Sequence, residues 1–143
     1  MFRRFTVLAL LFLASCSSPN NLNNKLSNWH SQHIVNYSYD ITWSCFCPDT
    51  ITSKVHIIVK NSKPISRNYL SNNKPVAKEQ YRFFTTIEGI FEFLQNARAK
   101  NAYKIKEVWN RRYDYPQTVF IDYIKDAVDD EQSFVISNFK ILK

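Results

Sequence analysis

The 143-residue sequence has one glycine, one methionine and three cysteines. A single glycine excludes a collagen-like chain and any glycine-rich loop that could cradle a phosphate. No stretch approaches the ~20 consecutive apolar residues that a membrane-spanning helix needs. Neither Gly-x-Ser-x-Gly nor His-Glu-x-x-His occurs, so two familiar hydrolase signatures are missing. A Ser-His-Asp triad scattered along the chain has no local signature, and nothing points to one. The expectation is therefore a non-enzymatic protein without a cofactor. What is present suits a folded body: 45% of residues are hydrophobic, 15% aromatic and 22% charged. That is too apolar for a disordered tail, and the length fits one domain.

The amino terminus reads as an address. Arg3 and Arg4 precede an apolar run from Phe5 to Leu13, which is short for a membrane span but suits the hydrophobic region of a secretory signal. Leu13-Ala14-Ser15-Cys16 follows and resembles the lipobox of bacterial lipoproteins. Small residues before the cut fit a narrow peptidase cleft, and the Cys16 thiol would carry the lipid, a palmitate-type anchor. An ordinary signal peptide that leaves Cys16 as a free thiol is the alternative. Ser17 stands where inner-membrane lipoproteins often carry Asp, so the resemblance favours the outer membrane. The expected division is signal peptide 1–15, lipidated cysteine and flexible tether 16–25, and one domain 26–143. As a flexible coil, Ser17–Asn24 would reach only about 15 Å.

Removing residues 1–15 takes away Arg3 and Arg4 and leaves 17 basic against 12 acidic side chains, a net +5. The charge is uneven: Ser53–Arg82 holds seven cations against Glu79, and Asp114–Glu131 holds six acids against Lys125. Nucleic acid is not an expected partner in an exported compartment. The basic segment fits either a face towards anionic headgroups or a solvated surface with lysines on strand edges. The membrane, through the anchor, and an envelope protein are the expected partners.

Leu26, Trp29 and His33 have helical spacing and predict a first helix over 26–35. Tyr37–Cys45 alternates apolar and polar residues, the pattern of a strand with one buried face. Lys54–Lys60 is β-branched and reads as a second strand, and Asn68–Leu70 and Gln80–Phe84 lean towards strand. Thr85 with Glu88 gives a capping-box signature, followed by Ile87, Ile90, Phe91, Leu94 and Ala97 on one helical face. Gly89 within it costs roughly 1 kcal/mol relative to Ala, which suggests close packing on the sheet. Tyr103–Asn110 and Gln117–Ile124 form a hairpin, and Ser133–Leu142 is a last strand. The order α-β-β-α-β-β-β predicts an α+β fold: an antiparallel sheet of about five strands with two helices packed on it.

Cys45 and Cys47 are an even pair in an oxidising compartment. Side chains two apart on a regular strand are about 6.5 Å apart, too far for a bridge unless the chain buckles at Phe46. A structural disulfide, two buried thiols, and redox or metal chemistry all remain open. His30 and His33 share helical spacing, but a zinc site needs at least a third ligand, and His56 is the only other imidazole. The acids Asp122, Asp126, Asp129, Asp130 and Glu131 lack calcium-loop spacing and read as a solvated turn. Arg112, Tyr113 and Tyr115 at the hairpin bend have the Arg-plus-aromatic composition of protein contact sites.

The chain resembles a family of small, uncharacterised bacterial lipoproteins. The likeness rests on Trp29, Tyr37-x-Tyr39, Cys45-Phe46-Cys47-Pro48, the Thr86-Ile87 helix opening, Tyr115-Pro116-x-x-Val119-x-Ile121-Asp122, Asp129-Asp130-Glu131 and Phe139. The family's hairpin usually reads Tyr-Asp, three residues, Gly, Tyr-Pro. Here Trp109-Asn110 replaces the Tyr-Asp pair and Asp114 the Gly, and Asp tolerates a left-handed turn. The resemblance implies location and fold but no reaction.

Overall fold

The computed structural model describes residues 21–143, so the segment expected to be a signal peptide and Cys16, with its expected lipid, lie outside the described residues. The elements run α1 (Asn21–Ser31), β1 (Tyr37–Cys45), α2 (Asp49–Thr52), β2 (Val55–Lys60), β3 (Lys63–Tyr69), a 3-10 turn (Lys78–Gln80), α3 (Ile87–Ala99), β4 (Lys104–Trp109), β5 (Pro116–Asp122) and β6 (Gln132–Ile141). The six strands form one antiparallel sheet in the order β3-β2-β1-β6-β5-β4. The fold is α+β and richer in sheet than the sequence indicated. Polar Lys63–Tyr69 makes the sixth strand because it is an edge, where only one side needs a ladder partner. Gln80–Phe84 leans towards strand in composition, yet it forms the end of the 3-10 turn and the turn after it, closed by Phe83 N–H to Gln80 C=O.

The inward positions of β1 are as expected, but Ser38 and Asp40 on its polar face are buried as well, so the strand does not have one covered face alone. Tyr37, Tyr39, Ile41 and Trp43 face a core shared with Val55, Ile57, Val59, Phe134 and Ile136. Helix α3 lays Ile87, Ile90, Phe91, Leu94 and Ala97 on this core. Its cap is Thr86, whose side chain accepts from Gly89 N–H at 3.2 Å, one residue beyond the expected Thr85. Glu88 therefore does not close a capping box. It accepts instead from Trp29 Nε1 at 2.7 Å and from the Tyr37 hydroxyl at 3.3 Å. Gly89 is required by its own helix entry rather than by the sheet: a Cβ there would lie 2.3 Å from Thr85 Oγ1 and 2.6 Å from its Cγ2.

Among the described residues helix α1 covers Asn21–Ser31, earlier at both ends than the predicted 26–35. Residues 21–25, expected to belong to the tether, are thus helical because Leu22 is buried and adds a turn to the apolar stripe of Leu26 and Trp29. His33 lies beyond the helix with φ 51°. Trp29 anchors the element, meeting Tyr37, Tyr115 and Phe139 edge-on with ring centroids 5.6, 6.1 and 5.9 Å away. No helix among the described residues is long and apolar enough to cross a membrane.

Helix α1 lies across one end of the sheet. Lys25 and Asn28 bond Asp114, and Gln32 bonds the Tyr113 carbonyl, all in the β4–β5 turn. The chain after the helix reaches the β2–β3 turn, where Ser62 N–H donates to Val35 C=O. Asp114 takes φ 57°, the left-handed conformation that its position in the turn demands.

Candidate functional site

A groove of about 630 Å³ runs along α3 from Gly89 to Lys100. Trp43 and the half-buried Phe83 and Phe93 form its aromatic wall, Tyr123 and Gln132 close one end, and Arg82, Glu92 and Lys100 supply charge. Trp43 is fixed by its Nε1–H bond to the Phe83 carbonyl at 2.8 Å. Its ring packs against Phe83, Phe93 and Phe134 at 5.5, 5.2 and 5.0 Å. The Arg82 guanidinium lies 4.7 Å from the Phe83 ring centroid, within cation–π range. A cavity of this size with an aromatic wall and a few charged groups suits a small amphipathic ligand. Two cations against one carboxylate favour a ligand that carries negative charge.

The groove was readable in outline from α3. Gly89, Glu92, Phe93, Asn96 and Lys100 recur at helical spacing beside the core stripe, and a glycine and a phenylalanine in such a flanking stripe mark a partly covered face. Phe83 and Arg82 had no such signal, because the segment before α3 has no period.

Cys45 and Cys47 are joined by a disulfide with a Cα separation of 5.2 Å. Cys47 N–H donates to Cys45 C=O at 2.8 Å, so the chain does buckle at Phe46, whose ring is 82% exposed. Both cysteines are half-buried against the core. Cys45 is the next inward position along β1 from Trp43 and pairs across the sheet with Gln132, placing the bridge beside the closed end of the groove.

The three histidines are not brought together. His56 Nδ1 lies 2.6 Å from Asp40 Oδ1 on the outer sheet face, and Asn138 donates to Asp40 Oδ2 at 2.7 Å. Asp40 is only 3% exposed, although its place in the alternation marked it as solvent-facing. A β-bulge on β6, with Asn138 at φ 53°, aims the amide at this carboxylate. This is a satisfied polar cluster, with both carboxylate oxygens of Asp40 engaged. His30 and His33 border a smaller hollow together with Glu88, which is already bonded to Trp29 and Tyr37. Among the described residues no group of three His, Cys, Asp or Glu could hold a metal ion. In the acidic loop, Asp130 Oδ2 accepts from Tyr123 and Ile124 N–H at 3.0 and 2.7 Å and so organises the turn.

The proposed contact triad divides. Arg112 is exposed above the Tyr113 ring, whereas Tyr113 is half-buried against Phe139. Tyr115 is 3% exposed and belongs to the core, because Trp29 and Phe139 enclose it; burial, then the neighbouring Tyr113, pushes its hydroxyl up to about 12. Asn110 takes over the turn: its Oδ1 accepts from the N–H groups of Arg112 and Tyr113 at 3.1 and 3.0 Å.

Fold and groove together define a small α+β domain with an aromatic groove between its long helix and the edge of its core. The chain belongs to the family of unknown function DUF6174, which it matches over residues 21–141, nearly all of the described domain. No curated protein and no solved structure matches it.

Proposed function

We propose that this protein is a lipid-anchored ligand-binding module of the bacterial cell envelope, fastened through Cys16 and binding an amphipathic anion in the groove beside α3. The observation that carries the binding half is the aromatic wall of Trp43, Phe83 and Phe93 beside Arg82 and Lys100. The anchoring half rests on the Arg3-Arg4, apolar run and Leu13-Ala14-Ser15-Cys16 pattern, with outer-membrane placement suggested by Ser17. An apolar tail or ring would lie against the aromatic wall, and its anionic group would meet the two cations at the rim.

Thermal-shift titration with a panel of acyl and aryl carboxylates tests the binding half. At least one should raise the melting temperature saturably, and Phe93→Asp should abolish that response. A panel that leaves the wild-type melting curve unmoved overturns it. Labelled palmitate fed to growing cells tests the anchor: label should enter the wild type and be lost in Cys16→Ala.

A second reading, an envelope thiol-redox or metal-handling protein using Cys45 and Cys47, is favoured by the position of the bridge beside the groove and the exposed Phe46. Thiol counting after exposure to a mild dithiol separates the two. A bridge that opens readily and re-forms with a partner thiol supports the second reading, and an inert one removes it.

A further inference from the structure

The two ends of the sheet differ in charge. One end carries the β2–β3 turn with Lys60 and Lys63, the β4–β5 turn with Arg111 and Arg112, and the end of the chain with Lys140 and Lys143. All six cations are exposed, and none has an acidic partner among the described residues. The carboxylates near this end are engaged: Asp114 with Lys25 at 2.6 Å, and Glu88 with Trp29 and Tyr37. The opposite end holds Asp49 and the five acids from Asp122 to Glu131, mixed with Lys54, Lys74, Lys78, Lys100, Lys104 and Lys125, so its charges balance. Strands of nine residues separate the ends by roughly 30 Å.

Helix α1 lies across the cationic end, tied to one turn by Lys25, Asn28 and Gln32 and leading into the other at Ser62. The chain therefore enters the domain at this end, at Asn21. Four residues separate Cys16 from Asn21, and even a fully extended chain covers only about 18 Å over those five steps. The basic segment noted in the sequence is thereby split: Lys60 and Lys63 lie at this end, while Lys54 lies at the other.

We propose that the α1 end of the domain seats on anionic lipid headgroups, with Arg111, Arg112, Lys60 and Lys63 as its contact residues. The short lead from Cys16 holds this end at the bilayer, and the charge decides which surface faces down. The groove and the disulfide then open away from the lipid. This proposal rests on the anchoring at Cys16 proposed above.

The test uses the full mature protein, purified from membranes and placed in vesicles of phosphatidylglycerol or of phosphatidylcholine. Mass analysis of the Cys16 peptide comes first, and a peptide without lipid overturns the anchoring reading alone. Trypsin cleavage is then timed after Arg111, Arg112 and Lys60, with Lys125 at the far end as the reference; Lys63 precedes Pro64 and is not a trypsin site. Cleavage at these three contact sites should slow at least about fivefold on the anionic vesicles, the scale expected from one seated basic residue. High salt should erase the difference, and Lys125 should not change. Replacing all four contact residues by Gln on the exposed turns should leave the melting temperature near wild type and abolish the lipid selectivity. If the peptide carries no lipid, sedimentation of the full chain with phosphatidylglycerol vesicles at low salt decides the same point. Equal protection on both lipids, or equal protection by soluble dextran sulfate, overturns the seating on a bilayer.

Discussion

At the residue scale, Gly89 shows how a helix interior can demand the one residue type the chain nearly lacks. Replacing glycine by alanine in a helix ordinarily stabilises it by roughly 1 kcal/mol. Here the added methyl would strike the Thr85 side chain, a short β-branched group with no free end to swing away. Gly89→Ala is therefore expected to destabilise the protein by about 1–3 kcal/mol. Most of that should return in the double variant with Thr85→Ala, measured by urea denaturation. A single variant more stable than wild type would remove Thr85 from the account.

Asp114 makes a pH prediction. Its bond from Lys25 holds the carboxyl below its ordinary value of 3.8, with burial opposing and Asn28 assisting. A carboxyl whose folded value is depressed binds protons more readily in the unfolded chain. Its contribution is thus complete above about pH 4 and is lost as the pH falls through the folded value. Asp114→Asn keeps a residue that tolerates φ 57° while removing the charge. The stability gap between wild type and this variant should shrink as acid is added, and a gap independent of pH would show that the ion pair contributes nothing.

At the element scale, the bridge between Cys45 and Cys47 closes the smallest of loops. Chain-entropy scaling gives such a loop only about 1–2 kcal/mol, against more than 4 for a loop of 100 residues. Cys45→Ser with Cys47→Ser should accordingly lower stability by no more than about 2 kcal/mol and leave the fold intact. A collapse of the domain would mean that the turn at Phe46 holds the start of α2 as well. Thr86→Ala removes the helix cap and should cost about 1 kcal/mol in the same measurement.

The elements that sequence reasoning found are those in which one period runs uninterrupted. β1 alternates without a break and α3 carries five core residues at helical spacing, so both were legible. β3 was not, since an edge strand that contributes Arg67 and Tyr69 to the inner face carries little apolar signal. The start of α1 was hidden because Leu22 is a single apolar residue among asparagines, and only its contact with the core makes it a helix stripe. Of the candidate site, the cysteine pair and the need for a buckle at Phe46 could be read from spacing. The groove depends on Phe83, in the unperiodic segment just before α3, and on Tyr123 and Trp43 from distant parts of the chain, and the Asp40–His56–Asn138 cluster depends on a bulge in β6.

At the scale of the whole molecule, the aromatic core joins α1 to the sheet through Trp29, which touches Tyr37, Tyr115 and Phe139 at once. Trp29→Ala should cost about 3–5 kcal/mol. The loss should appear as an early release of α1, read as faster amide exchange over residues 21–31 than over β1. Uniform loss of protection would instead make α1 inseparable from the sheet.

The crosswise placement of α1 also has a mechanical meaning. Strands pulled along their length share a load among many ladder bonds at once, whereas α1 grips its neighbours through side chains met in succession, Leu22 and Lys25 before Asn28 and Trp29. A tug on the amino-terminal end would meet these one by one and peel the helix at low force. The six-stranded sheet behind it would stay whole, because the load would be spent on α1 first.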